Sequence, residues 1–138
     1  SVTEYDELQW LIRCLAKMVE ELHPDVVRLR MHMHHMFVFA DMSGAGANAP
    51  EGIHQDGADY IVSALVIERV GIVGGESVVY ALDKKTEYLR RTLAPGEGIF
   101  QADKDRLWHY VTPIQEDPDT PSHYGHRSII GFDIDIVQ

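Results

Sequence analysis

His54-Gln55-Asp56, flanked by Gly52 and Gly57, puts an imidazole and a carboxylate two residues apart. In an extended segment such positions point the same way, so the two side chains can converge on one ion. The glycines let the backbone turn tightly beside them. Alone this is a weak signal. The chain has eight histidines, so roughly one His-x-Asp is expected by chance, and a surface turn with an Asx cap explains the three residues equally well. His109 is the second piece, within Leu107-Trp108-His109-Tyr110-Val111-Thr112-Pro113-Ile114. It sits among apolar neighbours, where an unpaired polar ring is costly to bury. A lone strand histidine is more often a core side chain bonded to a backbone carbonyl.

Two imidazoles and one carboxylate on neighbouring strands hold a divalent metal from one side and leave three coordination positions open. That is the facial triad of non-haem Fe(II) chemistry. Arg127 is the third piece, opening the stretch Arg127-Ser128-Ile129-Ile130-Gly131-Phe132-Asp133-Ile134. A guanidinium entering a mostly apolar strand needs a carboxylate partner, ideally a bidentate one. An ion pair with one of the many acidic residues is a serious rival to a ligand there. The order of parts favours the ligand: His-x-Asp, a distal His, then Arg on the next strand.

Other tempting residues are discounted. Met31-His32-Met33-His34-His35-Met36 would place His32 and His34 on one strand face without a third ligand in register, poor for zinc or copper. A polarisable strand packing on the helix or lining a pocket is the simpler reading. Asp103, Asp105, Asp117 and Asp119 lack calcium-loop spacing and read as solvated loop charges. Gly71 to Gly75 is not followed by the Gly-Lys-Ser/Thr of a phosphate loop.

One helix and a run of short strands must position these side chains. Leu8, Leu11, Ile12, Leu15, Met18, Val19 and Leu22 recur at three- and four-residue steps and predict a helix over 4–22. Thr3 can cap it, Glu4 and Asp6 suit its positive end, and His23-Pro24 ends it. Cys14 is expected on its buried face, as packing. From Val26 the period changes to two. Val26 to Ala40 reads as a strand or bent pair, and Gly44, Gly46, Asn48 and Pro50 mark a loop. Tyr60 to Glu68 and Glu76 to Leu82 read as strands separated by Gly71, Gly74 and Gly75. Thr86 to Leu93 is read as a short helix, Ala94 to Gly98 as a turn, and Ile99 to Ala102 as a short strand. Leu107 to Ile114 and Arg127 to Val137 complete the set, with the acidic loop Glu116 to Pro121 between them. The pattern is one domain over 1–138, mainly β with a flanking helix: helix 4–22 and a β-rich core over 26–137. Its strands fall somewhat short of a full eight-stranded jelly roll.

Composition narrows the function classes. The 138 residues are 45% hydrophobic and 25% charged, ordinary for one soluble domain. With 22 acidic against 12 basic residues the net charge is −10, a surface that repels phosphate backbones. Nucleic acid is not expected as a partner. No apolar run approaches membrane-spanning length, so no membrane association is expected either. Cys14 is the single cysteine, which excludes an intrachain disulfide and points to a reducing, cytoplasmic setting.

The stretch Pro50-Glu51-Gly52-Ile53-His54-Gln55-Asp56-Gly57, the strand from His109 to Ile114 and the strand from Arg127 to Ile134 resemble bacterial 2-oxoglutarate–Fe(II) oxygenases. That family includes free L-amino-acid hydroxylases such as isoleucine 4-hydroxylase. The resemblance runs from about Pro50 to the C-terminus, less clearly through the opening helix. It implies a double-stranded β-helix (a jelly roll, cupin-like) with flanking helices. It also implies that His54, Asp56 and His109 ligate Fe(II), and that Arg127 binds the far carboxylate of 2-oxoglutarate. O2 would be the co-substrate, and a free aliphatic L-amino acid the substrate to be hydroxylated. Gly131, on the face of Arg127, is expected to leave room beside the metal. Family members are usually considerably longer at the N-terminus, so whether a portion precedes Ser1 stays open, as does homo-oligomer formation. Three alternatives stand beside this reading. A cupin-type metal enzyme would usually carry His-x-His and a later Glu, against which Asp56 argues. A protein-modifying oxygenase would act on peptides and not on free amino acids. A non-catalytic β-sandwich binding module would fail to bind iron.

Overall fold

The computed structural model describes residues 4–41, 46–47, 49–119 and 124–138. Thr3, Gly44, Asn48 and Pro121, read above as a cap and loop markers, lie outside the described residues. In chain order the elements are α1 (Glu4–Leu22), β1 (Leu29–Asp41), β2 (Tyr60–Val70), β3 (Ile72–Gly74), β4 (Glu76–Tyr80), β5 (Glu87–Thr92), β6 (Gly98–Ala102), β7 (Trp108–Val111), β8 (Ile114–Glu116) and β9 (Tyr124–Ile136).

Two compact units emerge, one comprising residues up to Arg30 with Asp135–Gln138, the other Met31–Ile134. In the first, α1 has the predicted bounds and buries Leu15 and Val19. Met18 and Leu22, expected on the same apolar face, are exposed, and Cys14 is half-buried where a buried position was expected. The helix ends as His23 donates its N–H to the Val19 carbonyl, just before Pro24. Val27 and Arg28 then donate to the Gln138 carbonyl, tying the two chain segments together. Among the described residues no helix is long and apolar enough to cross a membrane.

The second unit carries the sheets. Strand order is β1-β9-β2-β6 in the larger sheet, β5-β4-β7 in a three-stranded one, and β3-β8 in a short ribbon. The sheets are open and match a jelly-roll, cupin-like sandwich. Buried apolar residues cluster in groups such as Ala64, Val66, Leu93 and Ile129, and Ala40, Ile72 and Ile114. Each fully buried Val, Ile or Leu removes about 1.5–3 kcal/mol of apolar exposure from water.

Three expectations change. Glu87–Thr92 is a strand, although Thr86 to Leu93 read as a helix. The Asp83 carboxylate accepts from the N–H groups of Lys85 and Thr86 and from the Thr86 hydroxyl, which reverses the chain. The segment then pairs with β4 from Tyr80↔Glu87 to Glu76↔Thr92. All six β5 residues are exposed, so it has no apolar stripe to bury as a helix and the ladder prevails. Leu107 to Ile114 is broken at Thr112-Pro113 into β7 and β8, since proline cannot donate to a ladder. The described residues therefore hold nine strands, more than the sequence pattern showed.

Candidate metal centre

His109 lies on β7, opposite Val79 of β4. On its other side it pairs with His54 in an isolated antiparallel bridge. The two residues exchange both backbone hydrogen bonds, at 3.0 and 2.9 Å. Residues directly opposite in such a ladder project to one side, and here the ring centroids are 4.2 Å apart at 60°. Asp56 follows at the same face by the two-residue alternation. The candidate ligand atoms of His54, Asp56 and His109 all lie within 4.8 Å of one another. Distances are 3.3 Å from His54 Nε2 and 3.5 Å from His109 Nε2 to Asp56 Oδ1.

The protonation pattern tests whether a cation fits. His54 Nδ1 lies 2.8 Å from the Gly52 carbonyl oxygen. A carbonyl only accepts, so Nδ1 carries a proton, and the neutral form of His54 presents a bare lone pair at Nε2. That lone pair faces Asp56 Oδ1 and also Glu51 Oε1, at 3.1 Å. Acceptors facing acceptors call for a proton or a metal between them. Two imidazole nitrogens and a carboxylate oxygen form a donor set suited to Fe(II). The Asp56 carboxyl is held below the usual carboxylate range, first by its hydrogen bond with His109, then by the charges of both histidines, against the opposing effect of burial.

Asp103, read from sequence as a solvated loop charge, has no exposed surface. Its carboxylate accepts hydrogen bonds from the backbone N–H groups of Asp56 (3.2 Å), Gly57 (2.7 Å) and Ala58 (3.0 Å). Its Oδ1 stands 3.8 Å from Nδ1 of His109, itself buried without a hydrogen bond among the described residues. The loops are tied further by Gln55 Nε2, which donates to the Asp103 and Leu107 carbonyls at 3.2 and 3.0 Å. Burial pushes the Asp103 carboxyl upward, opposed by the three backbone donors. The sequence did carry a sign of this: Asp103 continues the inward alternation of Gln101, one step beyond the end of β6.

Asp133 was also missed. It lies on β9 across from Ile61 and is pushed up to about 6, first by burial, then by the negative charge of Asp56. Period two places it on the face of Arg127 and Gly131, which was the available signal. Gly131 has a different role from the one expected. A Cβ there would fall 2.3 Å from His34 Nε2, so the space is taken by the His34 ring. Arg127 is 1% exposed on β9 and is drawn down to about 10, first by burial, then by the charge of Arg69.

A family model described as 2OG-Fe dioxygenase matches residues 1–133. Among solved structures, the chain is similar to a bsmA homolog from Methylobium petroleophilum PM1. The TM-score is 0.80 and the identity 22%, covering 99% of this chain and 54% of that one. It is also similar to IDO from Bacillus thuringiensis, with a TM-score of 0.72 and 16% identity over 100% of this chain and 66% of that one. At these identities the likeness shows the fold, and the chain spans only about half to two thirds of the length of those proteins. No curated protein matches the sequence. The matched family implies Fe(II) and 2-oxoglutarate as cofactors, and the His–Asp–His set is one that can bind iron. With the match running through residue 133, the chain belongs to the 2OG-Fe dioxygenase family.

Proposed function

We propose that this chain is the core of an Fe(II)- and 2-oxoglutarate-dependent dioxygenase that hydroxylates a C–H bond of a small molecule, with a free aliphatic L-amino acid as its substrate class. The convergence of His54, Asp56 and His109 within 4.8 Å carries the metal part of this reading. The amino-acid part rests on the resemblance of the Pro50-to-Gly57 segment and the two later strands to free amino-acid hydroxylases.

His54 and His109 would offer their Nε2 lone pairs and Asp56 one carboxylate oxygen. Two neutral ligands and one anion leave a divalent cation with net positive charge, which favours an anionic chelating co-substrate on the open side. When bound, Fe(II) with 2-oxoglutarate and O2 supplies the oxidising power for C–H hydroxylation, and the keto acid leaves as succinate and CO2. The chain's own residues bind and orient. Gly52 fixes the His54 tautomer through its carbonyl, Asp103 holds the backbone of the His-x-Asp loop, and buried Arg127 presents a fixed guanidinium to the far carboxylate of the keto acid.

Oxygen-free titration with Fe(II) and then 2-oxoglutarate tests this. A visible charge-transfer band is expected in the wild type and lost in His109→Ala. A panel of free amino acids and short peptides then separates the substrate classes. A folded wild-type protein that gives no band with both cofactors present would defeat the assignment.

A further inference from the structure

Arg69 sits near the end of β2, directly across the ladder from Arg127 on β9. Cross-strand partners project to the same face, so two guanidinium-bearing side chains leave the sheet side by side. Like charges opposite one another are unfavourable, and withdrawing them from water makes the pairing worse. Even drawn down to about 10, Arg127 keeps its proton at neutral pH and does not relieve that cost.

Arg127 is buried and Arg69 half-buried. Arg127 is 1% exposed, and Nη1 of Arg69 is buried. Nη2 of Arg69 donates to the Gly74 carbonyl at 2.9 Å, whereas Nη1 makes no hydrogen bond among the described residues. Gly75 shows where the two side chains meet. A Cβ placed there would lie 3.0 Å from Arg69 Nη1 and 3.2 Å from Arg127 Cδ, and the residue has φ +70. A left-handed glycine thus lines both arginines at once, and the Arg69 Nη1 donor beside it lacks an acceptor among the described residues.

We infer that Arg69 is a second anchor for the far carboxylate of the keto-acid co-substrate, sharing that anion with Arg127. The inference rests on the 2-oxoglutarate reading above and adds a residue to it. A carboxylate has two oxygens and about four lone-pair directions, enough for donors from two guanidinium groups. Two neighbouring guanidinium groups also favour a dianionic 2-oxo acid over a monoanionic one, because only the dianion brings a second carboxylate to which both can donate. Arg69 would then determine co-substrate specificity.

The test uses the full chain loaded with Fe(II) without oxygen, and binding measured by calorimetry and by the charge-transfer band. The ligands are 2-oxoglutarate and 2-oxopentanoate, of equal carbon number but without the far carboxylate. Arg69→Gln is expected to weaken 2-oxoglutarate binding about 10- to 100-fold and to leave 2-oxopentanoate binding unchanged. Arg69→Lys should recover part of the loss. The unchanged affinity for 2-oxopentanoate reports that the metal site is intact, which a merely structural role for Arg69 would not produce. Equal weakening of both acids, or of neither, overturns the proposal while leaving the cofactor reading in place. A wild-type protein that binds neither acid overturns the cofactor reading and this proposal together.

Discussion

At Asp103 a carboxylate with no exposed surface accepts hydrogen bonds from three successive backbone N–H groups, those of Asp56, Gly57 and Ala58. It therefore sets the path of the backbone that carries two of the three candidate ligands, and its second contribution is the negative charge 3.8 Å from His109 Nδ1. Removing an acceptor from buried donors costs about 1–3 kcal/mol for each donor left unsatisfied. Asp103→Ala is therefore expected to lower stability by about 2–4 kcal/mol in urea unfolding, with water restoring part of the loss. Supporting residues of this kind typically contribute 10- to 100-fold to metal affinity, and the same variant should weaken iron binding by about that factor in a competitive chelator titration. Retention of both properties would show that the backbone bonds between the loops suffice. Arg127 and Asp133 belong to this scale as well. Each was placed on the inner face of β9 by period two, but only Arg127 drew attention in the sequence, because a cation in an apolar strand is conspicuous and one more aspartate among 22 acidic residues is not.

At the scale of elements, the β4–β5 hairpin shows how local chemistry overrides a helical pattern. Its turn and outer strand are held by Asp83 with Thr86, by Glu87 with Arg90, and nearby by Glu97 with the Ala94 N–H and Arg91. These bonds draw all three carboxyls below their ordinary values. A carboxyl whose folded pKa is depressed stabilises the folded state above its unfolded pKa, about 4, and loses that contribution as pH falls through the folded value. The wild-type urea midpoint should accordingly decline as pH is lowered from about 5 towards 3. Asp83→Asn should start lower and decline less steeply over the same window. Parallel slopes for the two proteins would mean that Asp83 takes no part. All three carboxyls are on the surface, so added salt should flatten the Arg-paired contributions more than the turn bonds.

For the molecule as a whole, the candidate ligands, Arg127 and Arg69 all fall within the unit Met31–Ile134, on segments distant in sequence. A ligand that joins them binds only the folded state and must raise stability by mass action. With free Fe(II) at about 100 times its dissociation constant the gain should be about 2.7 kcal/mol, and with 2-oxoglutarate also at about 100 times its own it should be about twice that, equivalent to roughly ten degrees or more in Tm. Anaerobic thermal unfolding with each cofactor alone and with both measures it. The keto acid should add little without the metal. A Tm that ignores both cofactors would argue that the segments do not share a binding site.

Much of this was legible from one-dimensional patterns. Period 3.6 located α1 to both its ends, period two located most strands, and the two-residue spacing of His54 and Asp56 with a distal His109 named one candidate set. Those signals survive because they depend on near neighbours in sequence, whose geometry the backbone repeats. Three things depended on tertiary structure. Whether Met18 and Leu22 are covered depends on what packs over the helix, not on its own period. The choice of strand for Glu87–Thr92 came from a pairing partner and a side-chain turn that no helical count weighs. The burial of Asp103 and the facing of Arg69 with Arg127 arise from the register between strands far apart in the chain, and register is a property of the assembled sheet.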